Sequence, residues 1–288
     1  MICVTGASGT LGSEVVKQLQ VDGAPFRAAY FSNQHAAAAR ARGIEAVIID
    51  YGRPETLRAA FEGCDTLFLL GPNLLNQTQL ELNAVEAAKA AGVRHIVKQS
   101  VMGADDEEFS LAKVHRPVEK AIESSGLTWT FLRPNSFMQN VVTFMAQTIK
   151  AEGAFYSASG SARVSHVDVR DIAAVAVKAL TTRNHQGRAY TLSGPEAMTY
   201  DEMANELSKA LGRPIAHISV SPSDLKHSML AEGMPEEIAD RMLDLERYFR
   251  EDRASRITDD VRQVTGRNPR SFAQYARDCA PLLAPAQI

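Results

Sequence analysis

Three glycines, Gly6, Gly9 and Gly12, recur at every third position after the apolar run ICVT at residues 2–5. A strand that turns at once into a helix leaves backbone N–H groups and the positive end of the helix dipole at the turn, where both favour an anion. Gly6 would permit the tight turn, Gly9 would let the backbone approach phosphates, and Gly12 would let the helix pack closely on the sheet. The spacing is G-x-x-G-x-x-G rather than the standard G-x-G-x-x-G. In this strand-to-helix setting it predicts a dinucleotide pyrophosphate site, to which the Thr10 hydroxyl can contribute.

A second candidate for chemistry is the segment FSLAKVHRPVEKAIE at residues 109–123. His115 and Glu119 are four residues apart and share one helix face, where a carboxylate would orient and charge the imidazole. Three interpretations stay open: an ion pair at the helix surface, a ribose or substrate contact by His115, and general acid catalysis. Lys113 points to another face of the same helix. Ser100 is a candidate hydrogen-bond donor to a substrate because it ends a predicted strand.

Composition narrows the range of functions. The net charge is −3 and no run of Lys and Arg is longer than two, which argues against nucleic acid or an anionic membrane surface as a partner. The three cysteines are far apart, no metal-ligand spacing occurs, and no G-x-S-x-G motif supports hydrolase chemistry. Strand-like sequence begins at residue 2 and the apolar stretches are far shorter than ~20 residues. We therefore expect a cytoplasmic protein without a signal peptide, a transmembrane segment or a bound metal.

The elements that must position these residues alternate regularly. Helical patterns separate short β-rich runs, and glycines stand where several helices should end. Strand and helix repeated six times predict an α/β fold with a doubly wound parallel Rossmann sheet, helices on both faces and a cleft beyond the carboxyl ends of the strands. The predicted strands cover residues 2–5, 25–31, 45–50, 66–70, 95–100 and 129–133.

The regular alternation of strand and helix patterns ends at about residue 150, which predicts a dinucleotide-binding domain at 1–150. A smaller α+β substrate-binding lobe would occupy 151–288 and return strand and helix to the main domain. Residues 222–252 are predicted to be helical, with an apolar stripe that either forms core between the lobes or lines a substrate pocket. The stripe consists of Leu225, Met229, Leu230, Ile238, Met242, Leu245 and Phe249.

An ordered set of segments runs through nearly the whole chain: TGASGTLG, DYGRPETL, LLGPN, AAGVRHIVKQS, HRPVE, FLRPNSFMQN, VSHVDVRDIA, YTLSGPEAMTYDEMA, LGRPI and ITDDVRQVTGRNPRSF. This set resembles the NmrA-like branch of the atypical short-chain dehydrogenases/reductases. Relatives in that branch include reductases of quinones, dyes and alkaloid intermediates, and redox sensors that bind a dinucleotide without known turnover. The resemblance implies an NAD(P)-binding Rossmann domain.

The resemblance also assigns residues to the site. Asp50 and Tyr51 would border the adenine, Leu70-Gly71-Pro72 the middle of the cofactor, and Gln99-Ser100 the nicotinamide ribose; a plain turn is the alternative reading of Asp50 and of Gly71-Pro72. The predicted cofactor contacts are Thr5, Gly6, Ala7, Ser8, Gly9, Thr10, Leu11, Gly12, Phe31, Ser32, Asn33, Asp50, Tyr51, Leu70, Gly71, Pro72, Gln99 and Asn135. The predicted substrate pocket is lined by Phe137, Met138 and Met229.

The second predicted strand ends in YFSN at residues 30–33, without the Asp or Glu that holds the ribose 2′-OH in a NAD-specific site. A carboxylate there would repel a 2′-phosphate, so its absence favours NADP as the cofactor. Many NADP-preferring relatives carry Arg where this chain has Phe31, which leaves NAD open as the alternative. Phe31 could stack on adenine while the two following polar residues donate to the phosphate. Arg40 and Arg42 are either phosphate ligands or solvated helix charges.

Many short-chain reductases use a Tyr four residues before a Lys, because the Lys lowers the pKa of the Tyr that delivers a proton. This chain has no such pair. If HRPVE places His115 at the Lys position, Leu111 stands at the Tyr position and cannot transfer a proton. The candidate catalytic residues are therefore His115, Lys113 and Ser100.

The predicted function is NAD(P)H-dependent reduction of a small electrophile that is conjugated or aromatic, such as a quinone, an iminium, an activated alkene or a cationic dye. Hydride transfer to such a centre needs no strong acid, because the protein supplies position and a dry pocket. The alternative is a non-catalytic dinucleotide sensor that binds a regulatory protein, which the missing Tyr–Lys pair favours. A nucleotide-sugar epimerase or dehydratase is a third candidate and lacks the same pair. A homodimer stays open.

Overall fold

The computed structural model describes residues 1–284 of the chain. Within this range the chain divides into two compact units that interleave along the sequence. The first unit contains Met1–Glu108, Ala112–Pro134 and Val169–Thr191. The second contains Phe109–Leu111, Asn135–Asp168 and the described residues from 192 onward. Apart from Phe109–Leu111, the first unit extends from Met1 to Pro134, and the later segment Val169–Thr191 returns to it.

The secondary structure alternates as expected in the first half of the chain. The described residues form the strands β1 (Ile2–Val4), β2 (Phe26–Tyr30), β3 (Ala46–Ile48), β4 (Thr66–Leu69), β5 (His95–Gln99), β6 (Thr128–Pro134), β7 (Ala154–Ser157), β8 (Arg188–Leu192) and β9 (Ala216–Ser219). Their helices are α1 (Thr10–Asp22), α2 (Asn33–Ala41), α3 (Pro54–Phe61), α4 (Gln77–Ala90), α5 (Ser110–Ser124), α6 (Ala146–Glu152), α7 (Val169–Thr181), α8 (Tyr200–Leu211), α9 (Pro222–Ala231), α10 (Glu236–Arg250), α11 (Asp260–Thr265) and α12 (Phe272–Leu283). A π-helical turn, Val141–Met145, precedes α6.

A seven-stranded sheet, in the order β3-β2-β1-β4-β5-β6-β8, organises the first unit. β1 pairs in parallel with both β2 and β4, so that Cys3 lies opposite Arg27 on one side and Leu67 on the other. The ladders β2–β3, β4–β5 and β5–β6 are also parallel. The predicted doubly wound parallel sheet is therefore confirmed. Its strand order reverses between β1 and β4, the point at which sheets of this kind bind ligands at their carboxyl edge.

Helices cover both faces of this sheet. On one face α3, α4 and α5 close over a core that includes Leu57, Phe61 and Val85. On the other face α1 packs along α7, where Gln18 Nε2 donates to the Arg170 carbonyl oxygen at 2.9 Å. Because both faces are covered, the strands are continuous apolar runs rather than alternating ones. The sheet therefore presents its carboxyl edge as a rigid frame for loops.

The second unit has its own small sheet and core. β7 and β9 pair in parallel with Phe155 opposite His217. The core packs Met138, Phe155 and Leu207 with residues of α12. α8 begins with a capping box in which Thr199 and Glu202 satisfy one another's backbone N–H groups.

The continuous helix predicted over 222–252 is wrong, because the structure forms two helices there. Gly233 takes φ +85° and Pro235 follows it, a combination that ends α9 and starts α10 afresh. No residue of α9 is buried, and Leu230 is exposed, whereas Phe249 on α10 is buried. The apolar stripe is thus core only toward the end of α10. Among the described helices, none is both long and apolar enough to cross a membrane.

Candidate functional site

The glycine turn lies between β1 and α1, at the carboxyl end of the central strand. Gly6 has φ +65°, a left-handed conformation that other residues rarely adopt, and a Cβ there would lie 2.9 Å from Leu70 Cγ. A Cβ on Gly12 would lie 2.1 Å from the carbonyl oxygen of Gly6. The turn therefore requires glycine at both positions before any ligand is considered.

Gly9 differs from the other two glycines because protein atoms leave it open. It is exposed, and the atom nearest to a Cβ built there is the Gly6 carbonyl oxygen at 3.4 Å. Gly9 is also the N-cap of α1 and supplies no side-chain hydrogen bond to the first helical turn. An open glycine beside uncapped N–H donors, at the positive end of a helix dipole, fits a phosphate group.

Thr5 and Tyr51 hold the neighbouring turn after β4. Thr5 Oγ1 donates to the Phe68 carbonyl at 2.9 Å and accepts from the Leu70 N–H at 2.9 Å. The Tyr51 hydroxyl donates to the Leu70 carbonyl at 2.9 Å, and burial raises the pKa of this tyrosine. Both hydroxyls are thus committed to the protein, so a cofactor contact from either residue would come from its other atoms.

The end of β2 is open and carries no carboxylate. Phe31 is 77% exposed, and Ser32 is the N-cap of α2. Arg40 donates from Nε and Nη2 to the Ala46 carbonyl oxygen at 3.0 and 2.7 Å. Its guanidinium thus links α2 to β3, although Arg40, like Arg42, is exposed.

Asp50 closes a turn after β3. Its Oδ1 accepts from the Gly52 N–H at 2.8 Å, and its own N–H donates to Thr56 Oγ1 at 2.9 Å. This is the strand-end turn that the sequence allowed as the alternative reading. The turn accounts for an aspartate at this position without a ligand.

Two residues that sequence reasoning missed, Glu81 and Lys98, are buried in the first unit, and each is 0% exposed. Lys98 Nζ donates to Glu81 Oε2 at 2.6 Å and to the Gln99 carbonyl at 2.8 Å, and it lies 3.2 Å from His115 Nδ1. Glu81 Oε1 accepts from the Gly71 N–H at 3.1 Å. The cluster therefore joins α4, α5 and the ends of β4 and β5. A charged residue inside the apolar run HIVKQS was the available signal, because buried strands rarely carry an unpaired lysine.

The interpretation of His115 and Glu119 as a helix-surface ion pair is wrong, because both residues are buried, with 5% and 0% exposure. Arg133 donates two hydrogen bonds to Glu119, from Nε to Oε1 at 3.0 Å and from Nη2 to Oε2 at 2.8 Å. Arg116 Nη1 adds a contact of 3.1 Å to Oε2. Two guanidinium groups thus balance the charge of Glu119, while the ammonium of Lys98 lies against His115.

Ser100 and Lys113 differ sharply in environment. Ser100 is fully buried at the end of β5, and its Oγ has no hydrogen-bond partner within the described structure. An orphaned buried hydroxyl of this kind is a cost that a ligand or a water would relieve. Lys113 is exposed on α5, so it does not share the buried position of His115.

The remaining predicted residues belong to the second unit. Asn135 donates from Nδ2 to Ser165 Oγ and to the Ala254 carbonyl, both at 2.8 Å, so its amide is committed to structure. Met138 is 1% exposed within the core of the second unit, which argues against its predicted role as a pocket wall. Phe137 and Met229 are half-buried.

The predicted site residues fall into three groups by exposure. The exposed ones are Ser8, Gly9, Thr10, Phe31, Asn33 and Lys113. The half-buried ones are Gly6, Ser32, Asp50, Tyr51, Leu70, Gly71, Pro72, Gln99, Phe137 and Met229. The buried ones are Thr5, Ala7, Leu11, Gly12, Ser100, His115, Asn135 and Met138. Exposure of the residues around Gly9 and of Phe31 is what a surface cofactor groove needs.

A doubly wound sheet with an open glycine turn at its switch point defines a Rossmann-type protein of the dinucleotide-binding class. The model of the NmrA-like family matches residues 1–275, and the chain belongs to that family. It is 39% identical to the NAD(P)H azoreductase of Xenophilus azovorans over 278 residues, which cover 96% of this chain and 97% of that protein.

Two further relatives are similar over nearly their whole length. A (4-alkanoyl-5-oxo-2,5-dihydrofuran-3-yl)methyl phosphate reductase of Streptomyces griseus is 36% identical, covering 99% of this chain and 100% of that protein. The crystal structure of the NADPH-dependent quinone oxidoreductase QOR2 of Escherichia coli, in complex with NADPH, superposes with a TM-score of 0.88 at 27% identity. It covers 96% of this chain and 99% of that one. The similarity therefore extends over both units rather than over the nucleotide-binding part alone.

Proposed function

We propose that the chain is an NAD(P)H-dependent reductase that transfers hydride to a small conjugated or aromatic electrophile. The observation that carries this proposal is the glycine turn. Gly6 and Gly12 build it for steric reasons, and Gly9 leaves it open where a pyrophosphate would lie. The similarity to reductases over the full length of the chain supports the same conclusion.

The residues around the turn fit a dinucleotide. The N–H groups of the first turn of α1 would hold the pyrophosphate, together with the exposed hydroxyls of Ser8 and Thr10. The exposed ring of Phe31 would lie against the adenine. Without a carboxylate at the end of β2, a 2′-phosphate meets no repulsion there, so NADPH is the favoured cofactor over NADH.

The substrate class follows from the groups that the site lacks. The bound nicotinamide supplies the hydride, which brings both electrons and one proton to the substrate. By the resemblance, Leu111 stands at the position of the missing tyrosine and cannot deliver the second proton. A substrate whose conjugation stabilises the resulting anion can take that proton from water. The names of the three relatives describe such acceptors: an azo compound, a quinone and an unsaturated furanone.

The test is a titration followed by turnover. NADPH and then NADH are added to the purified chain while heat and the fluorescence of Trp129 are recorded, and a quinone, an azo dye and a butenolide are supplied in turn. We expect tighter binding of NADPH and consumption of reduced nicotinamide with at least one acceptor. Binding without consumption by any acceptor would favour the dinucleotide sensor. The absence of binding would refute the role assigned to the glycine turn.

The remaining parts of the proposal concern location and assembly. The three cysteines are buried thiols outside any disulfide, which suits a reducing compartment, and we place the protein in the cytoplasm. We expect a small-molecule substrate and no nucleic acid, and light scattering of the purified chain distinguishes a monomer from a homodimer.

A further inference from the structure

The ammonium of Lys98 has a complete set of acceptors in the interior of the first unit. An ammonium carries three N–H donors and no acceptor. The structure offers it three acceptors, from Glu81, the Gln99 carbonyl and His115, at 2.6, 2.8 and 3.2 Å. The three acceptors lie on α4, β5 and α5, so the ammonium has one well-defined position.

Lys98 also decides where His115 carries its proton. Since the ammonium only donates, Nδ1 of His115 must present its lone pair at 3.2 Å. The proton of the neutral imidazole then lies on Nε2, which becomes a hydrogen-bond donor. A proton on Nδ1 would point at the ammonium, so Nδ1 is the acceptor in this contact.

The Glu81 carboxylate extends the same arrangement to the turn after β4. Its Oε1 accepts from the Gly71 N–H at 3.1 Å and from Gln77 Nε2 at 3.3 Å. A Cβ on Gly71 would lie 2.5 Å from both Cγ and Oε1 of Glu81. Only glycine therefore lets the carboxylate reach the backbone here, and the carboxylate holds the Gly71-Pro72 turn in place.

Stability alone does not account for this cluster. Burying an ion pair removes two charges from water, and well-packed apolar side chains of similar volume are often as stable or more stable. The pair does, however, hold two features in one arrangement: the Gly71 turn, through Glu81, and the His115 ring, through Lys98. Catalysis depends on holding the reacting groups in the correct geometry, and supporting residues can provide this.

We propose that Glu81 and Lys98 are positioning residues for the reductase reaction, which hold the Gly71 turn for the cofactor and keep His115 as a neutral Nε2–H donor. This inference rests on the proposed function. The His115 donor would stabilise the negative charge that develops on the substrate as hydride arrives, without losing its own proton. The hydride supplies both electrons to the substrate, and water supplies the second proton.

Two double variants, in which both charges of the ion pair are removed, separate the support of the Gly71 turn from the control of the His115 tautomer. In Glu81→Gln/Lys98→Met the amide oxygen can still accept from Gly71, while His115 loses the ammonium that sets its tautomer. We expect kcat to fall roughly 10- to 100-fold, the size of one hydrogen bond to a developing charge, with the KM for NADPH nearly unchanged. In Glu81→Leu/Lys98→Met the Gly71 N–H also loses its acceptor, and the KM for NADPH should rise roughly tenfold as well.

Nitrogen NMR of the histidine rings reports which nitrogen of His115 carries the proton. If the cluster had only a structural role, this protonation pattern would not change in the variants. In the wild-type protein at neutral pH, long-range ¹H–¹⁵N correlation should show His115 protonated on Nε2 alone. In Glu81→Gln/Lys98→Met this pattern should change. Arg133→Met is the matched control, because it removes a buried cation of β6 that contacts Glu119 of α5, while Arg116 still contacts Glu119. It should lower stability and leave both kcat and the His115 pattern unchanged.

Several results would overturn the inference. A proton on Nδ1 of His115 in the wild-type protein, or an unchanged kcat in both double variants, would do so. Equal losses of kcat in the double variants and in Arg133→Met would reduce the cluster to a structural role. If the wild-type chain consumes no NADPH with any acceptor, the proposed function fails instead, and the NMR comparison still tests whether Lys98 sets the tautomer.

Discussion

Gly12 packs against Gly6 so closely that a Cβ on Gly12 would lie 2.1 Å from the Gly6 carbonyl oxygen. The helix start and the tight turn therefore depend on one another sterically, without reference to a ligand. At Gly9, on the same turn, the nearest atom to a Cβ is 3.4 Å away. The three glycines thus divide into two that build the turn and one that leaves it accessible.

Substituting these glycines should separate folding from binding. We expect Gly12→Ala to destabilise the protein by about 3 kcal/mol, as an overpacked core position does. Gly9→Ala should change the free energy of unfolding by less than about 1 kcal/mol but weaken NADPH binding roughly tenfold, because the added methyl group occupies the phosphate approach. Thermal unfolding and calorimetric titration of both variants check this. Equal NADPH affinity of Gly9→Ala and the wild type would contradict it.

Phe31 should control the choice of nucleotide. A carboxylate in Phe31→Asp would lie where a 2′-phosphate is expected and would repel it, while it could accept from a ribose 2′-OH. We expect the affinity for NADPH to fall roughly tenfold or more, and the ratio of NADH to NADPH affinity to rise. Phe31→Asn is the control, since it removes the ring to the same extent without adding charge. If both variants bind NADPH equally, the 2′-phosphate does not lie beside residue 31.

His115 should be useful but not essential for an electrophilic acceptor. With a quinone as substrate, we expect His115→Ala to lower kcat roughly 10- to 100-fold, because one hydrogen-bond donor to the developing anion is lost. NADPH affinity should stay close to that of the wild type. Steady-state kinetics together with a binding titration measure both quantities. A total loss of turnover with intact cofactor binding would show that His115 acts as an essential acid.

His166 should make the protein less stable in acid. Burial lowers the pKa of His166 to about 4, against an ordinary value near 6.5, and its Nδ1 lies 3.2 Å from the Val164 carbonyl. Because the folded state disfavours the proton, the stability is complete above the unfolded pKa and is lost as the pH falls toward the folded one. Between about pH 7 and about pH 5 this residue should cost about 2 kcal/mol.

The variant His166→Gln isolates this contribution. It cannot take up the proton, so its free energy of unfolding should fall less steeply over the same pH range. Urea denaturation at a series of pH values gives both curves. Parallel curves for the wild type and the variant would assign the acid sensitivity to other groups, with the similarly buried His95 as the next residue to test.

Much of the first unit could be predicted because its signals are local. Six apolar runs separated by helical patterns lie close to β1 through β6, and a parallel sheet covered on both faces follows from that alternation. The glycine spacing predicted the turn, since a left-handed φ and a close backbone approach are properties of single positions. The absence of a tyrosine four residues before His115 is likewise plain in the sequence.

Other features depended on tertiary contacts that local patterns do not contain. The apolar stripe over 222–252 looked like one helix, although Gly233 and Pro235 carry the signal that divides it. Met138 looked like a pocket wall because it follows β6, but it packs in the core of the second unit. Arg40 is exposed, and it also donates to the Ala46 carbonyl, a contact that its sequence position did not indicate. In each case the outcome depended on which surface the residue met after folding.

By itself, the sequence determined the fold class, the glycine turn and the lack of a tyrosine acid, because these depend on backbone preferences and residue identity over short spans. Only the tertiary structure decided that Glu81, Lys98 and His115 form one buried cluster beside Gly71. Lys98 is 17 residues from each of its two charged or titratable partners, and no periodicity links them. Their contact arises because parallel pairing brings the ends of successive strands, and the helices after them, to one edge of the sheet.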